Sequence, residues 1–298
     1  MLPAFGKKIH YSMQLFKRVD QLQSFLNAER VNNRSVGFIP TMGALHAGHL
    51  SLVKRSLSEN QITVASIFVN PTQFNETSDL DRYPRTPGKD LQKLAKVGCN
   101  VAFLPEVEDM YPPGHNTELK IDLSGLDARM EGAQRPGHFD GVAQVVKRFL
   151  DIVQPENLYM GQKDYQQQLI VKQMIRVLDL PYQVITVPTA REEDGLAMSS
   201  RNVLLDIETR QKAAILYQTL QAAKTRLIKG EFPKDIETWA MKAMTQPGFR
   251  PEYFSIVDGY SLQPLPDQEE LAELVVACTA VWAGGVRLID NLPLRGNM

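Results

Sequence analysis

Cysteine is scarce in this chain: two in 298 residues, Cys99 and Cys278, far apart and without a C-x-x-C partner. No disulfide framework can be built from them, and both fit buried, reduced thiols. No apolar run approaches the roughly 20 residues that span a bilayer. The first ten residues, Met-Leu-Pro-Ala-Phe-Gly-Lys-Lys-Ile-His, carry charge with no apolar core behind it, so no cleaved leader is expected. Net charge is also nearly absent, with 33 basic residues against 34 acidic ones, which leaves no global field to draw nucleic acid or an acidic membrane. Internal repeats and low-complexity tracts are lacking. What is there is an ordinary globular composition, 43% hydrophobic and 22% charged, at a length comfortable for two domains. The expectation is a soluble cytoplasmic protein.

The stretch Gly37-Phe-Ile-Pro-Thr-Met-Gly-Ala-Leu-His-Ala-Gly-His49 organises the rest. Val36 to Ile39 reads as a buried strand, Pro40 and Gly43 break it, and Leu50, Leu52, Val53 and Leu57 resume at helical spacing. His46 and His49 therefore stand at a helix start, both on one face, beside backbone N–H groups that the helix leaves unpaired. Such an end attracts phosphate, and imidazole N–H groups add donors. Gly43 and Gly48 lack a Cβ and are expected to let a phosphate or purine approach the backbone. Two histidines at this spacing could also be a cap and a surface residue, or two metal ligands. A metal would want a third ligand, and no nearby Cys or His cluster supplies one.

Gln61 to Asn70 contains a second buried strand, so strand, helix and strand make a right-handed parallel unit. Ligands in such sheets sit beyond the strands' carboxyl ends, which nominates Asn70 and Gln73. A third strand is expected at Val101–Leu104, a fourth at 157–160 and a fifth at 182–187. The fourth ends in Gly161-Gln-Lys-Asp164, where Lys163 can neutralise phosphate and Asp164 can cap the next helix. Helices are expected over 14–29, 90–96 and 141–153. Residues 75–90 read as a long loop that acts as a lid over a bound nucleotide or edges a subunit contact, and 105–141 as irregular, with Glu131, Arg135 and His138 on exposed turns. Beyond Val187 the texture changes. Helical stretches over 208–228 and 236–244 precede strands at 253–257, 274–282 and 286–290, which suggests a smaller α+β domain over 188–298 after an α/β, Rossmann-like parallel-sheet domain over 1–187.

P-T-M-G-A-L-H-A-G-H resembles the H-I-G-H signature of the adenylate-forming nucleotidyltransferases, and within them the pantothenate synthetase (pantoate–β-alanine ligase) family. The near-zero net charge argues against the tRNA synthetases of that superfamily. N-P-T-Q-F, R-Y-P-R-T, E-G-A-Q-R-P-G-H-F, G-Q-K-D, M-S-S-R-N and V-R-L-I-D-N carry the resemblance along almost the whole chain. Met198-Ser-Ser-Arg-Asn202 is similar to the K-M-S-K-S loop, with Arg201 in place of a lysine. Gln162 stands where family members carry Glu, and Thr72 where many carry Met.

The resemblance implies ATP-dependent condensation of pantoate with β-alanine through a pantoyl adenylate, Mg²⁺ travelling with the ATP, and a homodimer. It implies ATP contacts at Met42, Gly43, Ala44, Leu45, His46, Ala47, Gly48 and His49, at Gly161, Gln162, Lys163 and Asp164, and at Ala190, Met198, Ser199, Ser200 and Arg201. His46, His49, Lys163 and Arg201 are the implied catalytic set, with His49 as a proton donor. Gln73 and Gln167 are implied to hold pantoate from opposite sides, with Asn70 beside them. No protein ligand for the metal is implied. Two rivals use the same machinery: a transferase making a dinucleotide, and a nucleotide-binding module without chemistry.

Overall fold

A computed structural model describes residues 12–74, 77–114, 119–265 and 272–297, so the charged N-terminal stretch and Asn75 and Glu76 of the expected lid lie outside it. In chain order it holds β1 (Gln14–Phe16), α1 (Val19–Val31), β2 (Val36–Ile39), α2 (Ala47–Glu59), β3 (Ile62–Ser66), α3 (Thr77–Arg82), α4 (Pro87–Val97), β4 (Val101–Phe103) and α5 (Val107–Met110). There follow α6 (Met130–Gln134), α7 (His138–Val153), β5 (Asn157–Gly161), α8 (Tyr165–Val177), β6 (Gln183–Val187), α9 (Ile207–Lys212), α10 (Ile215–Ile228), α11 (Pro233–Met244), β7 (Phe249–Asp258), β8 (Val275–Ala283) and β9 (Val286–Arg295). Short 3₁₀ turns occupy Pro71–Gln73, Gln162–Asp164 and Ser200–Leu204.

The first six strands form one parallel sheet in the order β1-β4-β3-β2-β5-β6. Its order reverses between β2 and β5, because the chain leaves β2 toward β3 and β4 and later returns to β5 and β6 on the other side. The loops after β2 and β5 therefore flank a crevice at the strands' carboxyl ends. Both faces of the sheet are covered. Phe38, Val64 and Leu158 share a core with Phe149 and Leu150 of α7, while Ile39, Ala65 and Tyr159 face Leu52 and Val53 of α2. That two-sided burial is why these strands read as continuous apolar runs.

Five parallel strands were expected and there are six. Leu15 and Phe16 match helical spacing to the residues after them, yet β1 pairs with the edge of β4, Leu15 opposite Ala102. Three residues are too few to reveal a period of two. Other departures are local. The irregular 105–141 segment contains α5 and α6 and the first turn of α7, and the lid segment contains α3 and the start of α4, with Pro87 in its first turn. The helix expected over 208–228 is interrupted at Ala213 and Ala214.

β7, β8 and β9 form a separate antiparallel sheet in that order. Alternation along β8 sends Val275 and Ala277 toward Leu220 and Ile236 of α10 and α11, and Val276 and Cys278 toward the core of the parallel sheet. The small sheet is thus buried on both sides, one side resting on the larger unit. Cys99 and Cys278 are both buried and unpaired, and among the described residues no helix is long and apolar enough to cross a membrane.

α7 lies so close to the Pro71–Gln73 turn that a Cβ on Gly141 would stand 2.3 Å from the Thr72 carbonyl oxygen. Backbone cannot yield as a flexible side chain would. Gly141→Ala should destabilise the protein by about 1–3 kcal/mol, the usual cost of overpacking. Urea unfolding checks this; an unchanged midpoint would show that the turn moves away freely.

Candidate active site

The loop from β2 to α2 is shaped by a carboxylate far away in sequence. Asp90, 0% exposed at the start of α4, accepts the Ala44 and Leu45 N–H groups at 2.9 and 2.8 Å and the Thr86 hydroxyl at 3.2 Å. Gly43 and Ala44 are both left-handed there, with φ of +85° and +48°. Lys93, one turn on, donates to the Leu45 carbonyl. Gly43, Ala44 and Leu45 thus face Asp90 and the core, and neither they nor Ala47 line the cavity.

His46 is the N-cap of α2, and its Nδ1 accepts the Gly48 N–H at 3.1 Å, while Nδ1 of His49 accepts the His46 N–H at 3.3 Å. The rings lie 4.0 Å apart between centroids. Two of the helix-end donors expected to await phosphate are therefore taken by the imidazoles themselves. Because backbone N–H groups can only donate, each ring carries its proton on Nε2. Gly48 serves this arrangement: a Cβ there would stand 2.8 Å from Cε1 of His46. Gly43 likewise faces Ile67 and Asp90. Burial, then the nearby Lys163, pushes the His46 pKa down to about 4, and burial, His46 and Lys163 hold that of His49 well below its usual value. Both rings are neutral at pH 7. With the proton on Nε2, both neutral rings are hydrogen-bond donors.

Asn70 is fully engaged by protein. Its Oδ1 accepts the Tyr111 hydroxyl at 2.8 Å, and its Nδ2 donates to the Gly141 carbonyl at 3.2 Å and to Oε1 of Gln73 at 3.3 Å. Gln73 also donates through Nε2 to Sδ of Met42 at 3.0 Å. Its carbonyl accepts Nδ1–H of His138 at 2.8 Å, and Nε2 of His138 accepts from Arg135 at 3.2 Å. His138 thus holds the opposite tautomer from His46 and His49, and burial and Arg135 push its pKa down to about 4. Glu131, expected on an exposed turn, instead takes both amino groups of Arg287 from β9 at 2.7 and 2.8 Å.

Lys163 lies in the 3₁₀ turn after β5, 3.7 Å from Asp164. Asp164 occupies the N-cap of α8 but makes no side-chain cap bond, so the expected capping role is not seen. Gln162 turns its amide toward Asn291 on β9 rather than toward the cavity. Ser199 caps the turn that carries Arg201, accepting its N–H at 3.2 Å, and Ser200 lies 3.4 Å from the Tyr83 hydroxyl. The Met198 N–H reaches the Ala190 carbonyl at 2.9 Å.

Two adjoining cavities open here. The inner one is lined by Met42, His46, Gly48, His49, Asn70, Gln73, Gly161, Lys163, Asp164, Gln167, Ala190, Met198, Ser199, Ser200 and Arg201. The outer one lies toward β7–β9, and Gln73, Tyr83, Lys163, Gln167, Ser199 and Arg201 border both. Four segments far apart in sequence thus bring neutral donors, two cations and the amides of Gln73 and Gln167 around one space. Such a set can bind a polyphosphate and a small polar acid side by side. Sequence reasoning missed Asp90, Tyr83 and Thr189, whose hydroxyl is buried by the inner cavity without a partner among the described residues. Nothing in the local pattern around Asp90 distinguishes it from an ordinary first-turn acid.

The fold and site define a nucleotide-binding α/β protein of the kind that activates carboxylates. A family model described as pantoate-beta-alanine ligase matches residues 14–293, and the chain belongs to that family, a family of ligases. It is 47% identical over 286 residues to a pantothenate synthetase of Bacteroides thetaiotaomicron, covering 95% of this chain and 99% of the relative. The crystal structure of pantothenate synthetase from Thermus thermophilus is similar at 44% identity and a TM-score of 0.88, covering 95% of this chain and 100% of that one. A pantoate-beta-alanine ligase from Francisella tularensis, solved with beta-gamma ATP and beta-alanine, matches at 33% identity and a TM-score of 0.74, over 95% and 98% of the two chains.

Two outcomes follow from these contacts. Asp90→Ala should cost about 1–3 kcal/mol for each buried amide left unpaired, read as a lowered urea midpoint. The three depressed histidines should make stability fall below pH 6.5, because the unfolded chain binds protons there that the folded one refuses. Stability is fully present above about pH 6.5, the unfolded value. It is lost as pH falls toward 4, where His46 and His138 titrate in the folded state, at about 1.4 kcal/mol per pH unit for each proton. Unfolding free energies between pH 4.5 and 7.5 test this, and resonances of His46, His49 and His138 that titrate near 6.5 in the folded protein would refute it.

Proposed function

We propose that this protein condenses pantoate with β-alanine, using ATP and releasing AMP and diphosphate. The observation that carries the reading is the convergence of His46 and His49, Lys163, and Ser199 to Arg201 on one cavity that Gln73 and Gln167 also line. A carboxylate is a poor electrophile, being anionic and without a good leaving group. Its oxygen attacks the α-phosphorus of ATP, the bond to diphosphate breaks, and an acyl adenylate forms. The amine of β-alanine then attacks the acyl carbon and AMP departs with the bonding pair.

No protein nucleophile enters this sequence, so the protein's part is alignment and stabilisation of phosphate charge. In this reading His46 and His49 donate Nε2–H to phosphate oxygens, Lys163 and Arg201 balance the charge on the α-phosphate and the departing diphosphate, and Ser199 and Ser200 add hydrogen bonds. Gln73 and Gln167 hold pantoate. Asn70, saturated by protein contacts, acts by holding Gln73.

Mg²⁺ enters as the ion carried by ATP. Asp164 is the one carboxylate lining the inner cavity among the described residues, which suits an ion whose other ligands are phosphate and water. The working arrangement proposed is an ATP- and pantoate-binding domain over 1–187 covered by a smaller one over 188–298, in a cytoplasmic homodimer. The two sheets support the division, and the two buried free thiols suit a reducing compartment.

Diphosphate release from Mg-ATP should require pantoate, and pantothenate with AMP should appear once β-alanine is added. Activity with a phosphorylated co-substrate and indifference to β-alanine would favour a dinucleotide-forming transferase instead. His49→Ala should lower turnover about 10²–10³-fold, the usual loss for one preorganised donor. Gln73→Ala and Gln167→Ala should chiefly raise the KM for pantoate; unchanged pantoate kinetics in both would remove them from the pocket.

A further inference from the structure

The turn that presents Lys163 is not held by its own capping groups. Gly161, which precedes it, has no side chain to cap with, and Asp164, its last residue, makes no cap bond to α8. Its carbonyls are held instead from the other sheet. Asn291, 2% exposed on β9, donates both hydrogens of Nδ2 into this turn, to the Gln162 carbonyl at 3.0 Å and the Lys163 carbonyl at 2.8 Å. Its Oδ1 accepts Nε2–H of Gln162 at 3.3 Å.

Asn291 is itself fixed. Its N–H meets Oδ1 of Asp290 at 2.8 Å, and the Asp290 carboxylate takes both amino groups of Arg191 at 2.7 and 3.0 Å. Arg191 also donates to the Asn291 carbonyl at 3.3 Å and stacks on the Tyr217 ring at 3.9 Å. It follows Ala190 in the cavity wall and bridges to Ala197 beside Met198. One buried dipeptide on β9 therefore grips the Lys163 turn with one side chain and the loop leading to Ser199–Arg201 with the other.

We infer that Asn291, which also borders the outer cavity, is a positioning residue for the phosphate-handling lysine, setting the direction of Lys163 through two backbone carbonyls. The inference rests on the reading of Lys163 given above. A side-chain amide suits the task because it offers two donors to adjacent carbonyls and an acceptor to Gln162. A carboxylate of the same shape would aim oxygen at oxygen. Displacement of a catalytic group by about 1 Å can cost on the order of 10²-fold in rate, so a loosened turn should show in kcat.

The test is Asn291→Asp in the full-length protein, which keeps volume and removes the donors. Diphosphate release should fall about 10- to 100-fold in kcat, with the pantoate KM little changed. The charged groups beside the new carboxyl are Asp290 and Arg191 on one side and Lys163 on the other. A merely structural role would lower the urea midpoint and leave kcat unchanged, so wild-type kcat overturns the inference.

Should N291D not fold, Asn291→Ser, with one hydroxyl donor, decides: reduced kcat at unchanged pantoate KM supports the role, and unchanged kcat overturns it. Wild-type protein that releases no diphosphate with pantoate would defeat the functional reading itself, which is a separate result.

Discussion

A buried carboxylate that faces backbone N–H groups shapes the whole site. Asp90 is buried away from bulk water, and the Ala44 and Leu45 amides with the Thr86 hydroxyl solvate it instead. A charge so placed tolerates little movement, because each lost donor leaves it less well solvated. The left-handed turn at Gly43 and Ala44 is therefore tied to α4, and α2 starts where that turn releases the chain. The position of His46 and His49 descends from this contact.

The three site histidines show how hydrogen bonds select chemistry. Each is neutral, yet the tautomer differs with the partner: backbone donors at Nδ1 leave Nε2–H for His46 and His49, whereas a backbone acceptor at Nδ1 and a guanidinium at Nε2 spend both nitrogens of His138. The first two rings keep a donor for a ligand. The third is structural, tying α7 to the turn of Gln73. Positive charge in the inner cavity is left to Lys163 and Arg201, and Lys163, which would attract phosphate, also helps to keep the imidazoles unprotonated.

Much of this was legible in the sequence where local pattern carries the information. β2, β3 and β5 stand out because burial on both faces demands unbroken apolar runs, and the strand–turn–helix around His46 carries its own punctuation at Pro40, Gly43 and Gly48. The segments near Gln73 and Lys163 were found the same way, as polar residues at the ends of such elements, and that of Arg201 by its resemblance to the K-M-S-K-S loop. β1 was not, since its three residues borrow their conformation from the edge of β4. The purpose of Gly48 and Gly141 was also hidden: they admit an imidazole ring and a carbonyl oxygen, neither of which adjacent residues reveal.

By itself the sequence determined the elements, the parallel sheet and the residue types gathered at its strand ends, because period and turn chemistry act over a few residues. Only the tertiary structure decided which of those residues face the cavity. It turned Ala44 and Leu45 to Asp90 and Gln162 to Asn291, and it spent Asn70 on Gln73. The reason is that a hydrogen-bonding group is claimed by whichever partner the packed chain brings nearest, and partners such as Asp90 and Asn291 lie 45 and 129 residues from the groups they hold.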